Sequence, residues 1–190
     1  MKIISHSVSP VRKPILQGYS IISNGVRETI NIGRRIAKNL RPGDIICLFG
    51  ELGSGKTVLT KGIAQGLGIQ KNKIISPSFV LIRIHTQGRL PLYHFDLYRL
   101  KAPPDILGLG YEEYLYGTGV TVIEWADRLK YLLPGEHLKI KLSVKGKEKR
   151  LLEFSASGSR YKELLSLLKE QFCKSGYQNI RISVGRISEY

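Results

Sequence analysis

The chain runs to 190 residues, 42% of them hydrophobic and 24% charged, enough to bury one substantial core and at most a small subdomain beside it. No stretch reaches the ~18 consecutive apolar residues of a membrane span, and the N-terminus lacks the apolar segment of a secretory signal, so a cytoplasmic location is expected and a membrane partner is not. The net charge is +15, and the two cysteines, Cys47 and Cys173, have neither disulfide-framework nor metal-ligand spacing.

Residues 1 to about 20 contain two prolines and no sustained period, and they read as an extension. From Asn24, read as a helix N-cap, Val26, Ile30, Gly33, Ala37 and Leu40 recur at helical spacing until Arg41-Pro42-Gly43-Asp44 breaks the pattern. Ile45-Ile46-Cys47-Leu48-Phe49 then suits a buried strand. It leads into Gly50-Glu51-Leu52-Gly53-Ser54-Gly55-Lys56-Thr57, which satisfies G-x-x-x-x-G-K-[ST]. Glycines let such a loop turn so that successive N–H groups point inward and cradle a nucleotide's phosphates. Lys56 is placed to reach the β- and γ-phosphates and Thr57 to offer its hydroxyl to Mg²⁺, at the positive end of the helix that starts here. Val58, Leu59, Ile63 and Leu67 continue that helix and Gly68 stops it.

Ser76-Pro77-Ser78-Phe79 restricts the chain on its way into a strand, either as an ordinary turn or as a phosphate-sensing segment. Phe79 to His85 and Leu92 to Tyr98, separated by a short polar turn around Gly88, predict a hairpin. Pro103-Pro104-Asp105 opens a short helix, and Gly108, Gly110, Gly117 and Gly119 keep the helical pieces that follow short. Val120 to Ile123 is a compact β-branched run that reads as a central strand delivering Glu124-Trp125 at its carboxyl end, where open α/β sheets bind ligands. Leu138 to Val144 alternates strictly, turns at Lys145-Gly146 and is answered by Leu151 to Phe154, predicting a hairpin with one wet face. A last helix covers about Ser159 to Cys173.

These elements give an α/β fold, a P-loop NTPase-like mixed sheet flanked by helices with antiparallel hairpins added. The expected organisation is an extension over 1–20, a P-loop ATPase domain over 21–156, and a C-terminal helix with a basic tail over 157–190. Residues 1–49 carry 8 basic and 2 acidic side chains, residues 50–136 carry 10 and 8, and residues 137–190 carry 12 and 5. A nearly balanced middle thus lies between basic flanks, which either attract polyanions such as RNA or serve solubility.

A phosphate loop needs a carboxylate at a nearby strand end to complete Mg²⁺ coordination or to orient an attacking group. Glu124 occupies the usual place of a Walker-B acid, although aspartate is the commoner residue there. Asp96 lies in Tyr93-His94-Phe95-Asp96-Leu97-Tyr98-Arg99, where burying a charge among aromatic rings requires a partner. Either acid could hold the metal, directly or through water, or orient a water molecule. His94 reads as structural rather than as a general base, and Trp125 as a core anchor or a lid. For the nucleobase the chain offers only a polar residue near Ser23.

Taken together, GELGSGKT at 50–57, SPSF at 76–79, YHFDLYRL at 93–100 and IEWADRL at 123–129 closely resemble the TsaE family, also called YjeE, in order and spacing over roughly residues 20 to 155. The resemblance implies an ATP-dependent, Mg²⁺-dependent ATPase that works with the TsaB and TsaD proteins to make threonylcarbamoyladenosine in tRNA, with any tRNA contact indirect. It implies that Leu52, Gly53, Ser54, Gly55, Lys56 and Thr57 form the phosphate cradle, that Thr57 and Glu124 are the Mg²⁺ ligands, that Asp96 is required for hydrolysis together with Lys56 and Glu124, and that Trp125 is the tryptophan beside the metal-binding acid. The first 20 residues and the tail beyond about 174 exceed the family pattern, and Val58 stands where a second hydroxyl often follows the threonine. The alternative readings are a small-molecule P-loop kinase, which would need mobile arginines and an acceptor pocket, and a nucleotide-gated RNA-binding module.

Overall fold

Four parallel strands, β4 (Leu92–Asp96), β5 (Val120–Glu124), β2 (Ile45–Phe49) and β6 (His137–Val144), lie side by side in that order at the middle of the sheet. The computed structural model describes residues 18–70, 80–108, 110–177 and 180–182, so Ser76 to Phe79 lie outside the described residues. On one side β3 (Ile82–His85) adds antiparallel to β4. On the other, β7 (Arg150–Ser157), β1 (Gly18–Ser23) and β8 (Arg181–Ile182) follow, each antiparallel to its neighbour. The mixed sheet flanked by helices is therefore as expected from sequence.

Burial explains the two kinds of strand pattern. β2 and β5 are buried almost end to end and read as unbroken apolar runs, the mark of strands covered on both faces. β6 alternates because its Leu138, Ile140 and Leu142 enter the core while Lys139 and Lys141 stay in water. The predicted hairpin and its wet face are both present. α5 (Ser159–Lys174) covers the apolar face through Leu164, Leu165, Leu168 and Phe172. There Phe172 meets Phe154, which stacks on Tyr19 of β1 at 4.9 Å between centroids.

α1 (Val26–Ala37) differs from its predicted phase and cap. Its buried residues are Thr29, Ile32, Gly33, Ile36 and Ala37, whereas Val26 is exposed. Gly25, not Asn24, takes the N-cap position. The Glu28 carboxylate reaches back to accept from the Asn24 backbone N–H and side-chain amide, doing from within the helix what a cap does from outside. The reason for the phase lies in α2 (Lys56–Gly66), whose Gly62 faces Gly33 of α1. A β-carbon on Gly62 would stand 2.3 Å from the Ile30 carbonyl oxygen, and one on Gly33 would stand 2.5 Å from that of Leu59, so the two helices meet backbone to backbone.

The remaining helical pieces, α3 (Pro104–Leu107), α4 (Tyr111–Leu115) and a 3₁₀ segment over Ala126–Leu132, bridge β4 to β5 and β5 to β6. The boundaries expected at 20/21 and 156/157 fall inside β1 and β7. α5 beyond the second of them shares the one core and is also tied to the foot of β2: Arg160 donates to both carboxylate oxygens of Asp44 at 2.9 and 2.6 Å, and the Tyr161 hydroxyl accepts the Ile45 N–H at 2.7 Å. Cys47 is buried within β2 and Cys173 is exposed on α5, both as free thiols. Among the described residues no helix is long and apolar enough to cross a membrane.

Candidate active site

The parallel register decides where the acids stand. β2, β4 and β5 all end at the same edge of the sheet. Asp96 pairs with Glu124 and Leu48 pairs with Glu124 across β5's two flanks, so the two carboxylates lie abreast next to the exit of β2. From that exit the loop climbs through Gly50, Gly53 and Gly55 at φ of +135°, +77° and +103°, the left-handed region open to glycine, before α2 begins at Lys56. Leu52 and Gly53 are exposed at the loop's tip, while Ser54 is folded beneath it with its hydroxyl buried and unpaired.

Lys56 is only 4% exposed. Its ammonium donates to the carbonyl oxygens of Gly50 at 2.6 Å and Glu51 at 2.9 Å, and it rests 3.7 Å from the centre of the Trp125 ring. Burial pulls its ammonium below the usual lysine range, against the opposing pull of Glu124, Asp127 and Asp96. Trp125 holds this post with a left-handed backbone, φ +60° and ψ +43°, which a bulky side chain adopts only when its surroundings fix it. The Tyr98 ring flanks it at 5.0 Å.

Glu124 is buried and fully engaged. The Thr57 hydroxyl donates to its Oε2 at 2.7 Å, the Thr60 hydroxyl to its Oε1 at 3.1 Å, and His94 Nε2 lies 2.7 Å from the same Oε1. Asp96 is also buried, and its Oδ1 accepts the Tyr98 N–H at 3.1 Å. A cavity of about 270 Å³ is lined by Leu52, Gly53, Lys56, Thr57, Asp96 and Glu124, among others. Every candidate site residue except Ser54 therefore opens onto one space, and Ser54 underlies it.

A second cavity of about 240 Å³ lies on the far side of the loop. It shares Gly53, Gly55 and Val58 with the first and is completed by Gly25, Val26 and Thr29 from α1 and by Lys147, Glu148 and Arg150 from the β6–β7 hairpin. Arg150 donates to the Gly53 carbonyl at 3.3 Å. Sequence offered a polar residue near Ser23 for the nucleobase; Ser23 itself is sealed inside, bonded to the Gly25 carbonyl and the Thr29 hydroxyl, while Thr29 lines this cavity. Thr60, Tyr98 and Arg150 escaped sequence reading. Thr60 carried a usable signal, lying three residues after Thr57 and hence one helical turn along the same face. Arg150 carried none.

The residues present fit a magnesium–nucleotide complex. A glycine loop bent through the left-handed region, a lysine whose partners are carbonyl oxygens, and a hydroxyl paired with a carboxylate form a set suited to phosphates and a hard cation.

The sequence model of the family described as "Threonylcarbamoyl adenosine biosynthesis protein TsaE" matches residues 23–152. The chain belongs to the TsaE family. Among curated TsaE relatives, the tRNA threonylcarbamoyladenosine biosynthesis protein of Bacillus subtilis (strain 168) is 43% identical over 137 residues, covering 72% of this chain and 85% of that protein. The protein of the same name from Treponema pallidum (strain Nichols) is 42% identical over 123 residues, covering 65% and 90%. In three dimensions, the crystal structure of Bacillus subtilis YdiB superposes with a TM-score of 0.70 at 38% identity, over 80% of this TsaE-family chain and 94% of that one. The matched span ends just past the start of β7, so α5 and β8 lie beyond it.

Proposed function

We propose that this chain is a Mg²⁺-dependent ATPase that supports threonylcarbamoyladenosine formation in tRNA, acting with the TsaB and TsaD proteins in the cytoplasm. The observation that carries the reading is the convergence of Thr57, Glu124 and Asp96 at the mouth of the phosphate loop. Membership of the TsaE family supports the pathway.

On this reading the triphosphate lies along the loop with its terminal phosphate toward Asp96 and Glu124, and its ribose and base in the second cavity between α1 and the β6–β7 hairpin. Lys56 would exchange the Gly50 and Glu51 carbonyls for phosphate oxygens, keeping its charge paired throughout. Thr57 and Glu124 would hold Mg²⁺, which would supply positive charge to offset that of the phosphates. Asp96 would orient a water on the γ-phosphorus. As the new P–O bond forms, the bond to the β-phosphate oxygen breaks, and the water's proton passes toward the carboxylate.

The test is hydrolysis by the purified chain, alone and with TsaB and TsaD, following both free phosphate and physical association. Slow turnover that rises with the partners is the expected outcome. Equal turnover with and without them and no complex would overturn the pathway reading, and a phosphorylated metabolite in place of free phosphate would make the chain a kinase.

A further inference from the structure

Glu124 is a carboxylate with almost no freedom left, and two of the groups that restrict it belong to no phosphate-loop motif. His94 is fully buried in β4, two paired positions before the Asp96–Glu124 pair, where it lies beside Val122. From there its Nε2 reaches Glu124 Oε1 at 2.7 Å, while its Nδ1 has no hydrogen-bond partner. Thr60, buried on α2 one turn beyond Thr57, has one hydroxyl proton to share between the same Oε1 and the Lys56 carbonyl oxygen, each at 3.1 Å. Among the described residues, Oε2 accepts from the Thr57 hydroxyl at 2.7 Å on the side of the loop. One oxygen is thus held from behind by His94 and by the shared Thr60 proton, and the other is presented to the site.

We propose that His94 and Thr60 are positioning residues that fix Glu124 with Oε2 toward the phosphate loop, so that the carboxylate meets a divalent cation already oriented. The proposal rests on the reading above, in which Glu124 serves Mg²⁺. The bond to Oε1 requires a proton on Nε2, because a carboxylate oxygen can only accept. A carboxylate left to search its rotamers would bind the cation more weakly. Partners that orient a ligand from behind commonly change metal affinity by about 10- to 100-fold when removed.

The experiment measures ATP affinity by calorimetry, in EDTA and across a Mg²⁺ titration, for the natural chain and for His94→Phe, His94→Gln and Thr60→Val. His94→Phe keeps an aromatic ring in the buried position and removes the donor, whereas His94→Gln restores an N–H at about the reach of Nε2. We expect unchanged affinity in EDTA for all four proteins. The Mg²⁺ needed for half-maximal strengthening should rise about tenfold in His94→Phe and severalfold in Thr60→Val, and return toward the natural value in His94→Gln. Should His94→Phe fail to fold, as thermal melting would reveal, Thr60→Val and His94→Gln carry the decision. A Mg²⁺ titration identical to that of the natural chain in every folded variant without its donor overturns the proposal alone. A natural chain whose ATP affinity ignores Mg²⁺ removes the proposal together with the reading beneath it.

Discussion

Under the proposed function, the site at the scale of single residues divides its labour between groups that would touch the nucleotide and groups that would aim them. Lys56→Ala removes the charged donor of the loop and should weaken ATP binding by roughly 10- to 100-fold, the value of a hydrogen bond to a charged group. Asp96→Ala should instead leave affinity near its natural value and lower kcat by about 100-fold, as loss of a positioned base does. Nucleotide titration and steady-state kinetics on the two variants separate the roles. A second residue-scale expectation concerns His137, which is buried and has Nδ1 2.8 Å from the Pro134 carbonyl. Burial holds its imidazole below the ordinary value of 6.5, with Lys139 adding to the shift and the Pro134 contact opposing it. The unfolded chain therefore takes up this proton more readily, so stability is undiminished above the unfolded value and falls as acidity increases below it. Denaturant midpoints measured from about pH 7 to about pH 5 should decline, and His137→Gln should flatten the slope. His85 contributes in the same direction, because its burial also lowers its pKa.

At the scale of elements, the contact between α1 and α2 positions the phosphate loop. Gly62→Val would place a branched side chain where even a β-carbon stands 2.3 Å from backbone. The resulting overpacking, about 1–3 kcal/mol, exceeds the few tenths gained in helix propensity. Calorimetry should show a Tm lower by several degrees, about 2–4 °C per kcal/mol for a chain of this size. This seam also marks where sequence reasoning ran short. The strand, loop and helix around Lys56 were legible because a local motif dictates them, and the ends of β4 and β5 were legible because each strand announces itself by composition. The phase of α1 was not, since Thr29 carries little hydrophobic signal although it faces the core side of the helix. The engagement of His94 with Glu124 was equally hidden. It joins residues 30 positions apart through the register of two parallel strands, which no short pattern encodes.

At the scale of the whole molecule, the described residues share one core, and the helix α5 is part of it rather than an appendage. Ending the chain at Ser157 would strip Phe172 and the leucines of α5 from Phe154 and Tyr19 and would leave Asp44 buried without Arg160. Such a truncation should fail to give a cooperative melt by circular dichroism, whereas a folded, cooperatively melting product would show that the sheet is self-sufficient. The domain expected over 21–156 ended before this helix, where the family resemblance over roughly residues 20 to 155 also ends, and the reach of a resemblance does not reveal whether two segments share an interior. One last property of the assembled chain concerns Trp125, the sole tryptophan among 190 residues. Its ring centre stands 3.7 Å from the Lys56 ammonium, the group that would meet an arriving triphosphate under the proposed function. Tryptophan fluorescence of the unlabelled protein, excited apart from its 10 tyrosines, therefore has one source, located beside the phosphate loop, and the molecule carries its own optical gauge of whether that loop is filled.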